Sequence, residues 1–242
     1  MNSISIVIPA YNEEKRLPAT LSAVCSYLAR GVWRFSEIIV VDDGSSDGTC
    51  KVVEEFSRDH TQTRLLRNPG NRGKGYSVRH GVLEAKGDWV LFTDADLSAP
   101  IEELDKLIAA CASRNARVAL GSRALDRSLI TVHQSFFRET SGRVFNLLMR
   151  LVTGLPFQDT QCGFKLFEAA AAREVFRRQR LERFGFDAEV LFIARRLGYA
   201  SIEVPVRWSH SEGTKVSMFR DSVAMFLDLL RVRWNHFLGK YR

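Results

Sequence analysis

Cysteine is scarce in this chain and never closely paired. Cys25, Cys50, Cys111 and Cys162 are all it has, and no two form a C-x-x-C motif. A disulfide framework is therefore not expected, and a reducing compartment is. Long apolar runs are also missing: no window approaches the ~20 residues that a membrane-spanning helix needs. The opening MNSISIVIPAYNEE has neither the basic n-region nor the apolar h-region of a signal peptide. Internal repeats and low-complexity tracts are absent, which argues against a solenoid or an extended disordered region. Negative charge is in deficit, with 28 Asp+Glu against 35 Lys+Arg and a formal net charge of +7. These absences predict a chain in the cytosol or on a membrane surface. The basic surplus points to an anionic partner: nucleic acid, acidic lipid or a phosphorylated substrate.

What is present reads as alternating strands and helices. ISIVIP (4–9), EIIVVDD (37–43), TRLLR (63–67), WVLFTD (89–94) and RVALGS (117–122) are short apolar runs of buried-strand character. Between them lie a helix from about Glu13 to Arg30, one starting near Ser46 or Asp47, one entered through NPGNRGKG (68–75), and one opened by Pro100 at its first position. Repeated βαβα order predicts an α/β chain with a doubly wound, mostly parallel sheet. Beyond it a polar loop is expected over 123–137, helices over 138–152, 168–178, 186–197 and 217–238, and a last strand over 200–209. No linker divides the 242 residues, so one domain is expected.

In open parallel sheets ligands bind outside the carboxyl ends of the strands. Placing the strand ends together gathers Pro9-Ala10-Tyr11-Asn12-Glu13, Asp42-Asp43-Gly44-Ser45, Asp94-Ala95-Asp96 and Gly121-Ser122-Arg123. Three of these four ends carry acids. Such a crevice repels a phosphorylated ligand unless a divalent ion bridges them, and Mg²⁺ or Mn²⁺ held by one or two carboxylates plus substrate phosphates meets that need. Asp94 and Asp96 suit the role, being two apart on an extended chain; their other reading is a cap on the following helix. Asp42 and Asp43 either form a turn or accept hydrogen bonds from a base or ribose.

SIVIPAYNEEKRLPATL, IIVVDDGSSDGT, NRGKGYSVRHG, GDWVLFTDADLSAP and GSR resemble the inverting nucleotide-sugar glycosyltransferases of family 2, which have the GT-A fold. DTQCGFKLF, FGFDAEVLFIARRLGY and EVPVRWSHSEGTKV are similar to dolichyl-phosphate (polyprenyl-phosphate) β-glucosyltransferases and, more loosely, to dolichyl-phosphate mannose synthases. The resemblance implies a Rossmann-like nucleotide-binding half (1–122) and an acceptor-binding half (123–242). It puts Pro9, Tyr11 and Glu13 in the nucleotide pocket, with Asp43 reading the base and Asp42 supporting it. Asp94 contacts ribose or metal, and Asp96 binds Mg²⁺ or Mn²⁺. Mannosyl relatives carry a glutamine two residues after the D-x-D, where this chain has Ser98. Lys74 and Arg72 in the glycine-rich turn are nucleotide-contact candidates.

The implied acceptor, a polyprenyl or dolichyl phosphate, is already ionised and needs no strong base. It needs cations, and guanidinium geometry matches phosphate. Arg123 and Arg138 sit where the resemblance places phosphate-binding arginines; Lys215 and Arg207 are further candidates, and His210 stands near an arginine of the mannosyl relatives. Asp159 and Gln161 either bind sugar hydroxyls or make a turn. Asp187 and Glu189 face acceptor or solvent. The last helix combines Phe226, Leu227, Leu230, Trp234 and Phe237 with Arg220, Arg231 and Arg233, which suits either a core-facing helix or an interfacial one dipping into anionic lipid; the apolar residues of 144–152 are a second membrane-contact candidate. The expected activity is metal-dependent transfer of a hexose, glucose from UDP-glucose being favoured, at the cytoplasmic face of a membrane. A mannose or N-acetylhexosamine transferase and a non-catalytic nucleotide-sugar binder are the alternatives. A nucleic-acid module is disfavoured because the acids gather at the ligand crevice.

Overall fold

The strand Ser3–Ala10 (β1) runs through the interior of the fold. Its Ile4, Ile6 and Ile8 turn to one face and Val7 to the other, all fully buried, as the two-residue period of an extended chain dictates. The computed structural model describes residues 3–31, 33–132, 146–210 and 218–242. On Phe35–Asp42 (β2) the rule repeats: Ile38 and Val40 share the face of Ile6, and Ile39 and Val41 that of Val7. Parallel register pairs Ala10 with Asp42, so both strands end at one edge.

Thr63–Arg67 (β3), Trp89–Thr93 (β4), Val118–Ser122 (β5), Phe164–Glu168 (β7) and Ser201–Pro205 (β8) complete a seven-stranded sheet in the order β3-β2-β1-β4-β7-β5-β8. Leu17–Arg30 (α1), Thr49–Asp59 (α2) and Leu104–Arg114 (α4) cover one face. Lys74–Glu84 (α3), a helical stretch over 146–153 (α5), Ala169–Arg178 (α6), Phe186–Arg196 (α7) and Met218–Phe237 (α8) lie against the other. Layered burial on both faces explains why the strands read as continuous apolar runs rather than alternating ones.

The mostly parallel sheet is present, with one insertion that the element order did not show. β7 comes from the second half of the chain, slots between β4 and β5, and runs antiparallel to both. It brings the residues before it, 156–163, across the carboxyl edge of β4.

Four boundaries differ from expectation. α1 starts at Leu17 rather than Glu13, because the Glu13 N–H donates to Thr49 Oγ1 at 2.8 Å and 13–16 forms a turn stapled by Glu13 to Arg16. Pro100 precedes a short 3₁₀ turn, Ile101–Glu103, that leads into α4. Part of the 123–137 loop is a short strand, Ile130–Val132 (β6), which pairs in parallel with Trp208–Ser209 (β9). The last strand is accordingly split: after β8, Arg207 is drawn aside by Glu103, and the chain continues as β9 in the second, two-stranded sheet.

Candidate active site

The carboxyl ends of β1 and β4, the start of α3 and the turn before α7 enclose a cavity of about 470 Å³, within the size range of small-ligand sites. Two backbone features set its rim. Asn12 is left-handed (φ +53°), and its side-chain oxygen accepts the Ser46 N–H at 2.8 Å while its own N–H donates to Ser45 Oγ at 2.9 Å. This zips the loop after β1 to the loop after β2. Leu97 is also left-handed (φ +44°), a conformation that costs a non-glycine residue about 1–3 kcal/mol unless the surroundings enforce it. Here it closes the turn that presents Asp94 and Asp96.

Seven of the residues singled out from sequence line this cavity: Pro9, Tyr11, Glu13, Asp43, Lys74, Asp94 and Asp96. Asp43 builds its wall. Asp43 Oδ1 accepts from Asn68 Nδ2 at 2.8 Å and from the Arg72 N–H at 2.9 Å, and Oδ2 accepts from the Gly73 N–H at 2.7 Å. The glycine-rich turn is thus shaped by a carboxylate from the neighbouring strand end. Gly73 has φ +109°, and a Cβ there would fall 2.6 Å from the Glu182 carbonyl oxygen. Asp42 lies just behind and turns back on its own loop, accepting the N–H groups of Gly44 and Ser45.

The two carboxylates of the D-x-D are both matched by protein cations. Lys74 Nζ lies 2.5 Å from Asp94 Oδ1. Burial by itself lowers the Lys74 ammonium, but Asp94, Asp187 and Asp96 outweigh it and hold it above the ordinary lysine range. Asp96 Oδ1 accepts the Ser98 N–H at 3.0 Å, and Oδ2 is 3.9 Å from Arg16. Arg16 forks onto Glu13 through Nε and Nη2, each at 2.7 Å. Deeper in, the fully buried Lys165 pairs with Asp187, donates to the Cys162 carbonyl at 2.7 Å and lies 5.1 Å from the Phe92 ring centre. Burial pushes the Asp187 carboxyl up, against the pull of Lys165 and Lys74.

Asp187 and Glu189 are therefore buried and do not face solvent. Glu189 is fully buried and accepts the N–H groups of Arg180 and Leu181 and, at 2.6 Å, the Tyr241 hydroxyl. It fixes the turn that carries Arg183 and Phe184 into the cavity wall.

Beyond the cavity lining, at the end of β5, Arg123 is clamped. Its Nε and Nη2 donate to Asp159 Oδ2 and Oδ1 at 2.7 and 2.9 Å, and its backbone N–H adds a third bond at 3.0 Å. Asp159 is buried, and although burial raises a carboxyl, the Arg123 charge and these bonds hold it below the ordinary aspartate range. Both Asp159 oxygens thus serve Arg123, and Oδ1 also accepts the Gln161 N–H at 3.2 Å, which makes the hydrogen-bonded turn that is the second reading of this segment. Gln161 approaches Met225 Sδ at 3.8 Å. The Arg123 guanidinium lies 5.3 Å from the Trp208 ring centre, and the His210 ring stacks with Trp208 at 6.1 Å between centres. Arg207 is engaged with Glu103, Nε to Oε1 at 2.5 Å, outside the cavity lining. Arg138 and Lys215 fall outside the described residues.

Arg16, Arg183, Phe184 and Gly163 were not found by sequence reasoning. Arg16 stands three residues after Glu13, the spacing of a helical ion pair. Gly163 lies in CGF: a Cβ there would come within 2.2 Å of the Asp94 carboxylate, so only glycine lets the lead-in to β7 cross the D-x-D. No local signal marks Arg183.

Among the described residues no group of three His, Cys, Asp or Glu side chains is placed to hold a metal. Asp94 and Asp96 nevertheless offer the hard oxygens that Mg²⁺ or Mn²⁺ prefer, and two protein carboxylates plus substrate phosphates is an ordinary shell for such an ion.

The Glycosyl transferase family 2 model matches residues 5–176. The chain is 38% identical to the Drosophila melanogaster dolichyl-phosphate beta-glucosyltransferase over 99% of its length and 77% of that protein's. It is 35% identical to the Homo sapiens and Saccharomyces cerevisiae proteins of the same name, over 99% of this chain and 77% and 76% of theirs. In fold it is similar to the Mycobacterium tuberculosis glucosyl-3-phosphoglycerate synthase (TM-score 0.67, 20% identity, 96% of this chain and 80% of that one). The mannosyl-3-phosphoglycerate synthase of Rubrobacter xylanophilus gives a TM-score of 0.68 at 18% identity over 99% and 75%. The family model over 5–176 and relatives matched across nearly all of this chain and about three quarters of their own length agree: the chain belongs to glycosyl transferase family 2, alongside the dolichyl-phosphate beta-glucosyltransferases.

Proposed function

We propose that this chain transfers glucose from UDP-glucose to dolichyl phosphate or a similar polyprenyl phosphate, with inversion at the anomeric carbon, while bound peripherally to the cytoplasmic face of a membrane. The observation that carries the reading is the D-x-D at the mouth of the strand-end cavity, with Lys74 and Arg16 beside it. The near-full-length relatives named for this reaction support it.

The acceptor phosphate oxygen attacks the anomeric carbon in line, the glycosidic C–O bond to the diphosphate breaks, and UDP departs. No base is required, since the nucleophile is already anionic. The chain's task is to bring two anions together and to stabilise charge on the leaving diphosphate. Asp94 and Asp96 would hold a divalent ion, which when bound supplies Lewis-acid stabilisation of that diphosphate; the related M. tuberculosis synthase has been crystallised with Mn²⁺ and UDP. Lys74 and Arg16 add fixed positive charge at the same point. Arg123, aimed by Asp159 and Trp208, is the cation offered to the acceptor phosphate. Asp43 keeps the Asn71–Gly73 wall in place against the nucleotide.

No described helix is long and apolar enough to cross a membrane. α8 has two apolar faces: Leu229 and Val232 are buried in the core, while Leu227, Leu230, Trp234 and Phe237 are exposed on the opposite side. The second face supports interfacial binding, and four free cysteines suit a reducing compartment. The test is a donor screen with labelled UDP-glucose, GDP-mannose and UDP-N-acetylglucosamine on a short polyprenyl phosphate, with Mn²⁺ or with EDTA. Glucosyl-lipid from UDP-glucose, lost in EDTA, is expected; no lipid-linked product from any donor would refute the reading.

A further inference from the structure

We propose that Lys74 is a resident counterion of Asp94 that a divalent cation must displace, and that Lys74 then passes to the donor's diphosphate, so that metal and nucleotide bind as one nearly neutral unit. The proposal deepens the glucosyltransferase reading and rests on it.

Each carboxylate around the D-x-D already faces a cation of the chain. Asp94 has Lys74 at 2.5 Å, Asp96 has Arg16 at 3.9 Å, and Asp187 has Lys165. A lone divalent ion arriving at Asp94 meets that ammonium in the same place, in a partly enclosed site where charges interact several-fold more strongly than in water. On the Gly163 side Asp94 cannot retreat, because a single added methyl there would overlap its carboxylate. Lys74, on a longer and more flexible stem, is the group that moves. It stands on the first residue of α3, lining the cavity beside Gly73 and Ser77, with Asp187 drawing it electrostatically from behind. A nucleoside diphosphate supplies the missing negative charge for both cations at once. The metal and the nucleotide are therefore linked, and linkage is reciprocal.

The test measures Mn²⁺ binding to the full chain by loss of the free-ion EPR signal, with and without UDP and without acceptor, so that no turnover is involved. In the wild-type chain UDP should tighten Mn²⁺ by a factor within the common range of about 5–150. Lys74→Met should bind Mn²⁺ alone about tenfold more tightly than wild type while binding UDP more weakly, and the UDP effect on Mn²⁺ should shrink towards onefold. Lys74→Arg should keep the wild-type pattern. Lys74→Gln serves as the second uncharged variant if the methionine melts early. Unchanged or weaker nucleotide-free Mn²⁺ binding in both uncharged variants would overturn the proposal alone, as would a wild-type chain that binds both ligands without coupling. A wild-type chain that binds neither ligand would overturn the functional reading, and this proposal with it.

Discussion

The strand-end wall proposed for the donor and the arginine side proposed for the acceptor are built on different plans. The donor wall is made of strand ends: Tyr11 and Glu13 follow β1, Asp43 follows β2, and Asp94 and Asp96 follow β4. Parallel register brings the ends together, and several bonds between loops lock them: Asn12 to Ser45 and Ser46, Glu13 to Thr49, and Asp43 to Asn68, Arg72 and Gly73. The acceptor wall depends on pairs distant in sequence. Arg123 is aimed by Asp159, 36 residues on, and Arg207 is held by Glu103, 104 residues back; neither arginine lines the strand-end cavity itself. Strand ends held by register and by several shared bonds keep their places when one bond is lost; an arginine aimed by a single distant partner loses its aim with it.

That difference also explains what the sequence disclosed. Strands, covering helices and the cluster at the carboxyl edge were legible because burial on both faces leaves a continuous apolar run and the acids follow it at once. The antiparallel β7 was not legible as an insertion between β4 and β5, since element order does not specify which strands pair. Asp159 looked like a sugar ligand because a polar residue in an apolar stretch implies a partner without naming it, and the partner was Arg123. Asp187 and Glu189 read as helix acids facing either the acceptor or solvent. Their burial depends on Lys165 from β7 and on Tyr241 at the end of the chain.

The sharpest test of the donor wall is Asp96→Ala. The side chain accepts one hydrogen bond, from the Ser98 N–H, and lies 3.9 Å from Arg16, so its loss should cost about 1 kcal/mol of stability. Transfer, by contrast, should fall by about 10²–10³-fold, the size seen when one electrostatic stabiliser is removed from a reacting centre. Thermal melting and lipid-linked glucose formation on the same preparation separate the two. Near-normal transfer would take Asp96 out of the metal role.

Gly163→Ala crosses the two walls, because the glycine belongs to the second half and its added methyl strikes Asp94. Overpacking of this kind costs about 1–3 kcal/mol, and a displaced Asp94 should lower kcat by up to about 10²-fold. Melting and steady-state kinetics check it; an unaffected kcat would mean that the carboxylate relocates without consequence.

Asp159→Asn tests the long-range plan. Breaking the clamp leaves Arg123 in a largely buried position without its counter-charge, a loss of about 3 kcal/mol, together with a raised KM for the acceptor. The sign of the pH effect follows from the direction of the shift. The Asp159 carboxyl is held below its unfolded value, so its contribution is present above the unfolded aspartate pKa and is lost as pH falls through the folded one. Denaturant unfolding of the wild type from neutral pH into the acid range should therefore show a fall that the asparagine variant lacks. Parallel curves would assign the acid limb to other carboxyls.

Trp234→Ala probes a surface outside both walls. Trp234 is 61% exposed, so the folded chain loses little. Binding to vesicles containing anionic lipid should weaken by about tenfold if its ring sits in the interface, since an aromatic side chain of this size contributes about 1.5 kcal/mol or more on burial. Sedimentation with vesicles reads this directly, and unchanged binding would turn the exposed face of α8 away from lipid.

The smallest effect is expected at Arg207, and it discriminates between the two arginines of the acceptor side. Arg207 pairs with Glu103 on a half-exposed side chain, and Lys106 reaches the same carboxylate at 2.6 Å. Arg207→Gln therefore leaves Glu103 a cation and should cost under about 1 kcal/mol. Because the guanidinium is directed to Glu103 and not to the cavity, the acceptor KM should stay within about twofold of wild type, a difference of roughly 0.4 kcal/mol on the scale where tenfold is 1.4. Arg123→Ala should raise it well beyond that. Acceptor titrations of the two variants side by side decide which arginine meets the phosphate, and a larger KM effect at Arg207 would transfer the acceptor role from the clamped arginine to the one beside Glu103.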